Sequence, residues 1–429
     1  MEKNYTIGPL ALCMFTVGFF NSLAQENPYG KVGGIPERAI IVSGDTAKAD
    51  KDIEIVMYDT KDLHFQDPSS PRFLFIDTKG KTALGIGGYI EGVGQYDFNG
   101  AIDGNGFTTF EIPVPRDNSM LNRFDADATH STIFLRLLTK TRFGILNGYI
   151  QTNFSGNNGN YGVVLKQAYL SLAGFTVGLT NSTFDDPSAG VPTIDYQGPS
   201  GSIGVKNLIF QYKRRFNNNW SAAISIEGNK GTYTTSAENK EISQRCPDIP
   251  AYIQYAWGNG KDHIRLSGIY RNLSYRNLVT GKNHGVSGYG VMLSGLATPV
   301  NLVTLYYQAA YGKGIGRYVN DLSGFGYDLI SSSDGKMKAP EDLGIVGGIQ
   351  FNITPNFFIS GSYSLNRVYG AGEMGGTGYR KADYYVANAF YNFLDGFQVG
   401  IEYLHGNRDD YNGMSNSANR IEAMVKYSF

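Results

Sequence analysis

The last ten residues alternate with a period of two. Ile421, Ala423, Val425, Tyr427 and Phe429 share one parity, and Arg420, Glu422, Met424, Lys426 and Ser428 share the other. Successive side chains of a β-strand point to opposite faces, so this segment carries a greasy stripe and an ionic stripe back to back. The same period recurs upstream. Trp220, Ala222, Ile224 and Ile226 alternate with Ser221, Ser225 and Glu227, and Phe397, Val399, Ile401 and Tyr403 oppose Gln398 and Glu402. Leu84, Ile86, Ile90, Tyr96 and Phe98 oppose Glu91, Gln95 and Asp97 and mark the first strand of the series. Alternation alone would also suit a soluble sandwich, whose apolar faces meet in a core.

Connection lengths separate the two architectures. Period-two segments number about sixteen, near 84–98, 130–140, 143–154, 163–173, 175–180, 203–213, 220–228, 250–257, 262–274, 285–296, 300–312, 344–353, 357–367, 383–393, 397–405 and 420–429. Long and short connections alternate between them. The stretch 99–129 is followed by the turn at Lys140-Thr141-Arg142, 155–162 by Gly174, and 181–202 by 214–219. Asn259-Gly260, Thr298-Pro299, Thr354-Pro355-Asn356 and Asp395-Gly396 continue the tight set. Short periplasmic turns opposite long outer loops, with an even strand total, define a meandering membrane barrel, whereas a Greek-key sandwich breaks that regularity. The expected fold is therefore all-β: a transmembrane antiparallel up-and-down β-barrel of about 16 strands. No lipid-exposed edge is tolerated inside a bilayer, so the strand at 84–98 is expected to close against 420–429. The terminal Tyr427-Ser428-Phe429 is an aromatic-x-Phe ending of the kind carried by outer-membrane barrels.

Composition strengthens this reading. Gly accounts for 55 of 429 residues, aromatic residues for 13% and charged residues for only 17%, against the roughly 25% charge of soluble domains. A net charge of −1 argues against a nucleic-acid binder, which needs a basic excess to meet phosphates. At the N-terminus, Lys3, an apolar core from Ile7 to Phe20, and Ser22-Leu23-Ala24 read as a signal peptide over 1–24. Cys13 falls inside that core, which leaves Cys246 alone in the mature chain with no disulfide or cysteine metal cluster to form. Beyond the signal no run of roughly 18 apolar residues exists, so no ordinary transmembrane helix is expected. Residues 25–80 contain Ile53–Met57 and Phe73–Ile76, with Asp67-Pro68 and Ser70-Pro71 between. They are expected to form a short periplasmic or pore-mouth extension, or a partly ordered tail, ahead of a barrel over 81–429.

A search for chemistry finds no enzyme. His64, His130, His263, His284 and His405 lack metal-ligand spacing, and the Asp103-Gly-Asn-Gly run lacks the remaining carboxylates of a calcium loop. Gly85-Ile-Gly-Gly and Gly312-Lys-Gly-Ile-Gly do not open a helix after a buried strand, and no nucleophile elbow occurs. No cofactor is expected. The informative charges are those that parity turns inward. Arg136 and Lys140 oppose Ile133, Leu135 and Leu137; Arg265 and Arg271 oppose Ile264, Leu266 and Tyr270; Arg420 and Lys426 lie on the last strand. A cation facing lipid at mid-depth costs about 2–4 kcal/mol, which assigns these residues to the lumen. Facing them are Glu91, Asp97, Glu227, Glu402 and Glu422, together with Asp185, Asp186 and Asp195 of a long connection. Such charges either select solutes by sign or brace the wall.

One region carries a resemblance. Phe124-Asp125-Ala126, Leu165-Lys166-Gln167-Ala168-Tyr169, Gly178-Leu-Thr-Asn-Ser-Thr-Phe-Asp-Asp-Pro-Ser and Thr193-Ile-Asp-Tyr-Gln-Gly-Pro-Ser-Gly all fall within Arg123 to Gly201. This stretch, about a fifth of the mature chain, resembles the DcaP-like family of trimeric outer-membrane porins. The resemblance implies a sixteen-stranded homotrimer in outer-membrane lipid, with the segment near 181–202 folded inward as a constriction. It further implies basic lumen residues that draw in small hydrophilic anionic solutes of the dicarboxylate type. Lys166 and Lys206 stand where the family usually carries arginine. Lysine keeps the charge but loses the bidentate fork. Asn181 replaces a common Trp, and 25–80 shows no heptads like those of the family's N-terminal coiled coil. The expected function is a passive diffusion channel. A structural or adhesive barrel acting through loops at 229–249, 313–343 and 368–382 is the alternative, and a driven transporter is disfavoured because the chain before residue 84 is too short for a folded plug.

Overall fold

The computed structural model describes residues 40–43, 50–100, 102, 106–156, 161–332, 334–371 and 378–429. The signal peptide and most of the Asp103 run lie outside them. Sixteen antiparallel strands close a barrel: β1 Thr82–Asn99, β2 Thr132–Thr141, β3 Gly144–Asn153, β4 Val164–Leu172, β5 Phe175–Asn181, β6 Lys206–Arg215, β7 Trp220–Glu227 and β8 Ile249–Trp257. The second half comprises β9 Asp262–Asn277, β10 Lys282–Val300, β11 Val303–Lys313, β12 Glu341–Thr354, β13 Phe357–Tyr369, β14 Tyr379–Leu394, β15 Phe397–Asp410 and β16 Ser415–Ser428. Each strand pairs with the next, and β16 returns to β1 with Tyr427 opposite Ile90 and Glu422 opposite Gln95. No described helix is long and apolar enough to cross a membrane. The strands cross instead.

Two-residue turns drive the meander at one end. Between β4 and β5, Ala173 and Gly174 both adopt positive φ, 53° and 86°, the mirror-image turn whose twist matches paired strands. This short-turn end faces the periplasm in outer-membrane barrels. The expected turn at Thr298-Pro299 sits slightly further on, because β10 runs to Val300 and hands over to β11 at Val303. At the other end two expected loops are absent. β9 and β10 continue to Asn277 and from Lys282, and β15 and β16 continue to Asp410 and from Ser415. Backbone pairing persists above the bilayer where both faces are polar, and period-two reading loses its signal there.

The outer wall is apolar between two aromatic belts. Trp220 and Tyr255 lie 5.0 Å apart near the short turns, and Tyr363 and Tyr385 lie 5.0 Å apart near the opposite rim. Rim phenols turn towards water: Tyr363 Oη donates to Asp383 Oδ1 at 2.7 Å and Tyr311 Oη to Glu341 Oε2 at 2.7 Å. Such rings sit at headgroup level because one end is apolar and the other wet.

The interior is far from empty. Phe184 and Ile203, from the connection after β5, pack with Ile315, Tyr318, Val319 and Tyr327, from the connection after β11, against Ile269 and Met292 of the wall. Ile102, Phe107 and Ile112, from the connection after β1, pack against Tyr384, Val386 and Leu404. At the short-turn end, Ile53 and Met57 of a short helix, Lys51–Met57, pack with Leu74, Ala83 and Leu138. The strand Phe73–Ile76 extends the sheet beside β1, with Phe73 opposite Ile86, and Ile40–Ser43 pairs with it in parallel. Residues 73–76 thus join the sheet, and 50–67 enter the foot of the lumen.

Candidate permeation site

The connection between β5 and β6 crosses the lumen and is fastened on several sides. Asp186 Oδ2 accepts from His263 Nε2 at 3.0 Å and from Ser294 Oγ at 2.6 Å, and Asp186 Oδ1 lies 3.3 Å from Arg265 Nη1. Burial would raise the Asp186 carboxyl, but Arg265 and His263 together hold it well below the usual carboxylate range. Glu402 receives the loop's backbone, with Ile194 N at 2.8 Å and Asp195 N at 2.9 Å. Asp195 in turn accepts from Phe107 N at 2.8 Å and Tyr384 Oη at 2.9 Å. Glu227 accepts from Thr183 N at 2.8 Å and Asn207 Nδ2 at 2.9 Å. These carboxylates satisfy loop N–H groups that would otherwise be buried without partners.

A second loop also folds inward. Residues 314–340, read from sequence as an outer loop, fold into the barrel and pair with the first: Gly204 N donates to Tyr318 O at 3.1 Å and Asn320 N to Ser202 O at 2.8 Å. Arg271 anchors it. Its Nη1 donates to Asp328 Oδ1 at 2.6 Å and to Gly314 O at 2.7 Å, and its Nε to Asp248 Oδ2 at 3.1 Å. The signal available in the sequence was the density of large apolar residues, Ile315, Tyr318, Val319, Leu322, Tyr327 and Ile330, which an exposed loop has no reason to carry.

The remaining charges divide clearly. Arg420 is fully buried, bridged to Asp97 at 2.7 Å and 3.1 Å, and lies 3.4 Å from Glu422. Lys426 Nζ is 3.7 Å from Glu91, and Lys140 pairs with Asp50 at 2.7 Å and Asp52 at 3.1 Å. Arg136 Nη1 donates to Met57 O at 3.1 Å. Arg265 also donates to Asp185 O and Gln254 Oε1, each at 2.8 Å. Lys166 and Lys206 have no ion-pair partner among the described residues, and both line a cavity of about 280 Å³.

Lys166 reaches that cavity through an irregularity. Gln151 pairs with Gln167 but Thr152 pairs with Leu165, so Lys166 is the extra residue of a β-bulge. Its Nζ lies 5.1 Å from the centre of the Tyr196 ring, which stacks on His130 at 3.5 Å. Burial holds the His130 imidazole down to about 4, which keeps the stacked ring neutral at pH 7. Asp185 also lines the cavity. Burial pushes its carboxyl up to about 8, against the opposing pull of Lys206. A wider vestibule of about 720 Å³, lined by Lys230, Thr232, Glu241, Gln244 and Arg317 among others, opens among the loops at the long-loop end. Arg317 Nη2 donates to Asn207 Oδ1 at 2.6 Å, beside Lys206.

A closed wall with a loop folded inward over a polar cavity is the architecture of a barrel channel, and comparison with known proteins agrees. A family model described as a porin subfamily matches residues 80–419. The chain belongs to this porin subfamily. Among solved structures the porin is similar to the outer-membrane channel DcaP of Acinetobacter baumannii, with TM-score 0.71 and 19% identity over 82% of this chain and 99% of that one. It is also similar to an anion-selective porin from Comamonas acidovorans, with TM-score 0.54 and 12% identity over 81% and 100%. OmpT of Vibrio cholerae follows with TM-score 0.51 and 9% identity over 81% and 98%. A search of curated proteins gives no match. As a porin, the chain is a β-barrel channel of the Gram-negative outer membrane, with the fold of DcaP.

Proposed function

We propose that this porin conducts small hydrophilic anions, of the dicarboxylate type, past Lys166 and Lys206. The observation that carries this reading is their place in the cavity beneath the inward loop with no ion-pair partner among the described residues, whereas Arg136, Arg271 and Arg420 are tied to carboxylates or carbonyls. Two ammonium groups in a narrow low-dielectric passage attract anions and repel cations. Lys230 and Arg317 extend the basic path to the vestibule. The likeness in fold to a porin described as anion-selective is in keeping with it.

The working unit in this reading is a homotrimer. β5 has 7 residues and β7 has 8, whereas β10 has 19, and a spanning strand needs about 9–11. A wall this low beside the inward loop calls for cover from neighbouring subunits. Residues 50–67 act as a pore-mouth extension. The test is liposome swelling with a four-carbon dicarboxylate and an uncharged polyol of similar size. The native channel admits the dicarboxylate faster, and a Lys166→Glu plus Lys206→Glu variant reverses that order. An unchanged order in the variant removes both lysines from the filter.

A further inference from the structure

The cavity beside Lys166 and Lys206 has a third wall that the barrel does not supply. His64, Gln66 and Asp67 line it as well, and they arrive from the N-terminal segment at the short-turn end. That segment is built into the lumen. Asp50 caps the helix Lys51–Met57 by accepting from Asp52 N at 3.0 Å, and Ile53 and Met57, one turn apart, are fully buried against the barrel's inner foot. Lys140 holds the helix start through Asp50 and Asp52, and Arg136 takes the Met57 carbonyl at its end. Beyond the helix, Asp62 pairs with Lys213 of β6 at 2.9 Å, and Phe65 packs edge-on against Phe390 with centroids 5.0 Å apart.

The tip of the segment then meets the inward loop. Gln66 Nε2 donates to Asp195 O at 2.7 Å and lies 3.3 Å from both Thr193 O and Thr193 Oγ1. Tyr89 Oη donates to Gln66 O at 3.1 Å. His64 lies so close to the loop that a Cβ on Gly190 would stand 2.2 Å from its ring, a contact only glycine permits. The turn is internally fixed, with His64 N donating to Asp67 Oδ2 at 3.1 Å. Asp67 is the carboxylate in electrostatic reach of Lys166.

We infer that the turn 64–67 is a working part of the selectivity filter, with Asp67 as a specificity-determining residue set against Lys166 and Lys206. This rests on the channel reading above and deepens it. Of the three aspartates around this cavity, Asp186 is tied to Arg265 and His263 and Asp185 is held neutral by burial below about 8. Two ammonium groups therefore face the Asp67 carboxylate and leave a net positive filter with a transverse field. Its complement is a small carboxylate solute that also carries a donor group, such as a hydroxy- or amino-carboxylate. The carboxylate meets the lysines and the donor meets Asp67. The segment stays in place during conduction, because its helix is part of the apolar foot and its tip is bonded to the constriction.

Two variants of the full-length protein in planar bilayers test this. Asp67→Asn keeps the turn's size and removes one negative charge. Its anion-to-cation permeability ratio, read from the reversal potential in a salt gradient, rises severalfold over native while single-channel conductance stays similar. An unchanged ratio overturns the role of Asp67. In a Cys246→Ser background, Gln66→Cys and Thr193→Cys are joined by a short bifunctional thiol reagent, which locks the tip to the loop. The locked channel conducts as it did before the reagent was added. A locked channel that falls silent means the segment must leave for conduction, and overturns the inference. A native protein silent in the same membranes instead removes the channel reading, and this inference falls with it.

Discussion

Lys166 and Lys206 differ from the other basic residues of the lumen in what surrounds them. Arg271 and Arg420 are buried with paired carboxylates, so they stiffen the interior and offer no charge to a passing solute. In the proposed filter, Asp185 modulates the lysine pair. Burial pushes its carboxyl up to about 8, so it is neutral below that pH and anionic above it, beside Lys206, Asp186 and Arg265. Anion selectivity is therefore expected to fall as pH rises through about 8, and Asp185→Asn is expected to lessen that fall in the reversal potential. Parity in the sequence located Arg265, Arg271 and Arg420 on the inner face, because a two-residue period fixes faces. It said nothing of what meets them there. Lys166 escaped parity altogether, since a bulge moves one residue to the other face.

At the scale of elements, the loops decide the passage. The inward loop 182–205 hangs on Asp186, which takes side-chain donors from the wall, and on Glu402 and Glu227 of the wall, which take backbone donors from the loop. Breaking a buried ion pair by removing one partner costs about 3–5 kcal/mol. Asp186→Ala is therefore expected to free one side of the loop, raising single-channel conductance and exposing 182–205 to protease. Unchanged conductance with an intact loop contradicts that. The strand series, the closure and the short turns were legible because backbone pairing and a lipid wall impose a strict period. The second inward loop was not, because residues 314–340 are held by apolar side chains and by Arg271, which carry no period. Its burial also withdraws much of the surface on which an adhesive role would depend.

At the scale of the molecule, three connections and an N-terminal segment fill a barrel that could otherwise hold a wide aqueous pore. In the proposed reading, solute passes the cavity between the wall at Lys166 and Lys206, the inward loop and the turn 64–67. The low wall at β5 and β7 lies on the same side, where the trimer proposal places neighbouring subunits. The central claim is that this filled barrel still conducts, and through a positively charged gap. Single-channel recording of the purified native protein in planar bilayers under a potassium chloride gradient tests it most directly. The account predicts small, discrete conductance steps with a reversal potential on the chloride side. A protein that is silent at every voltage, or one that reverses on the potassium side, contradicts it.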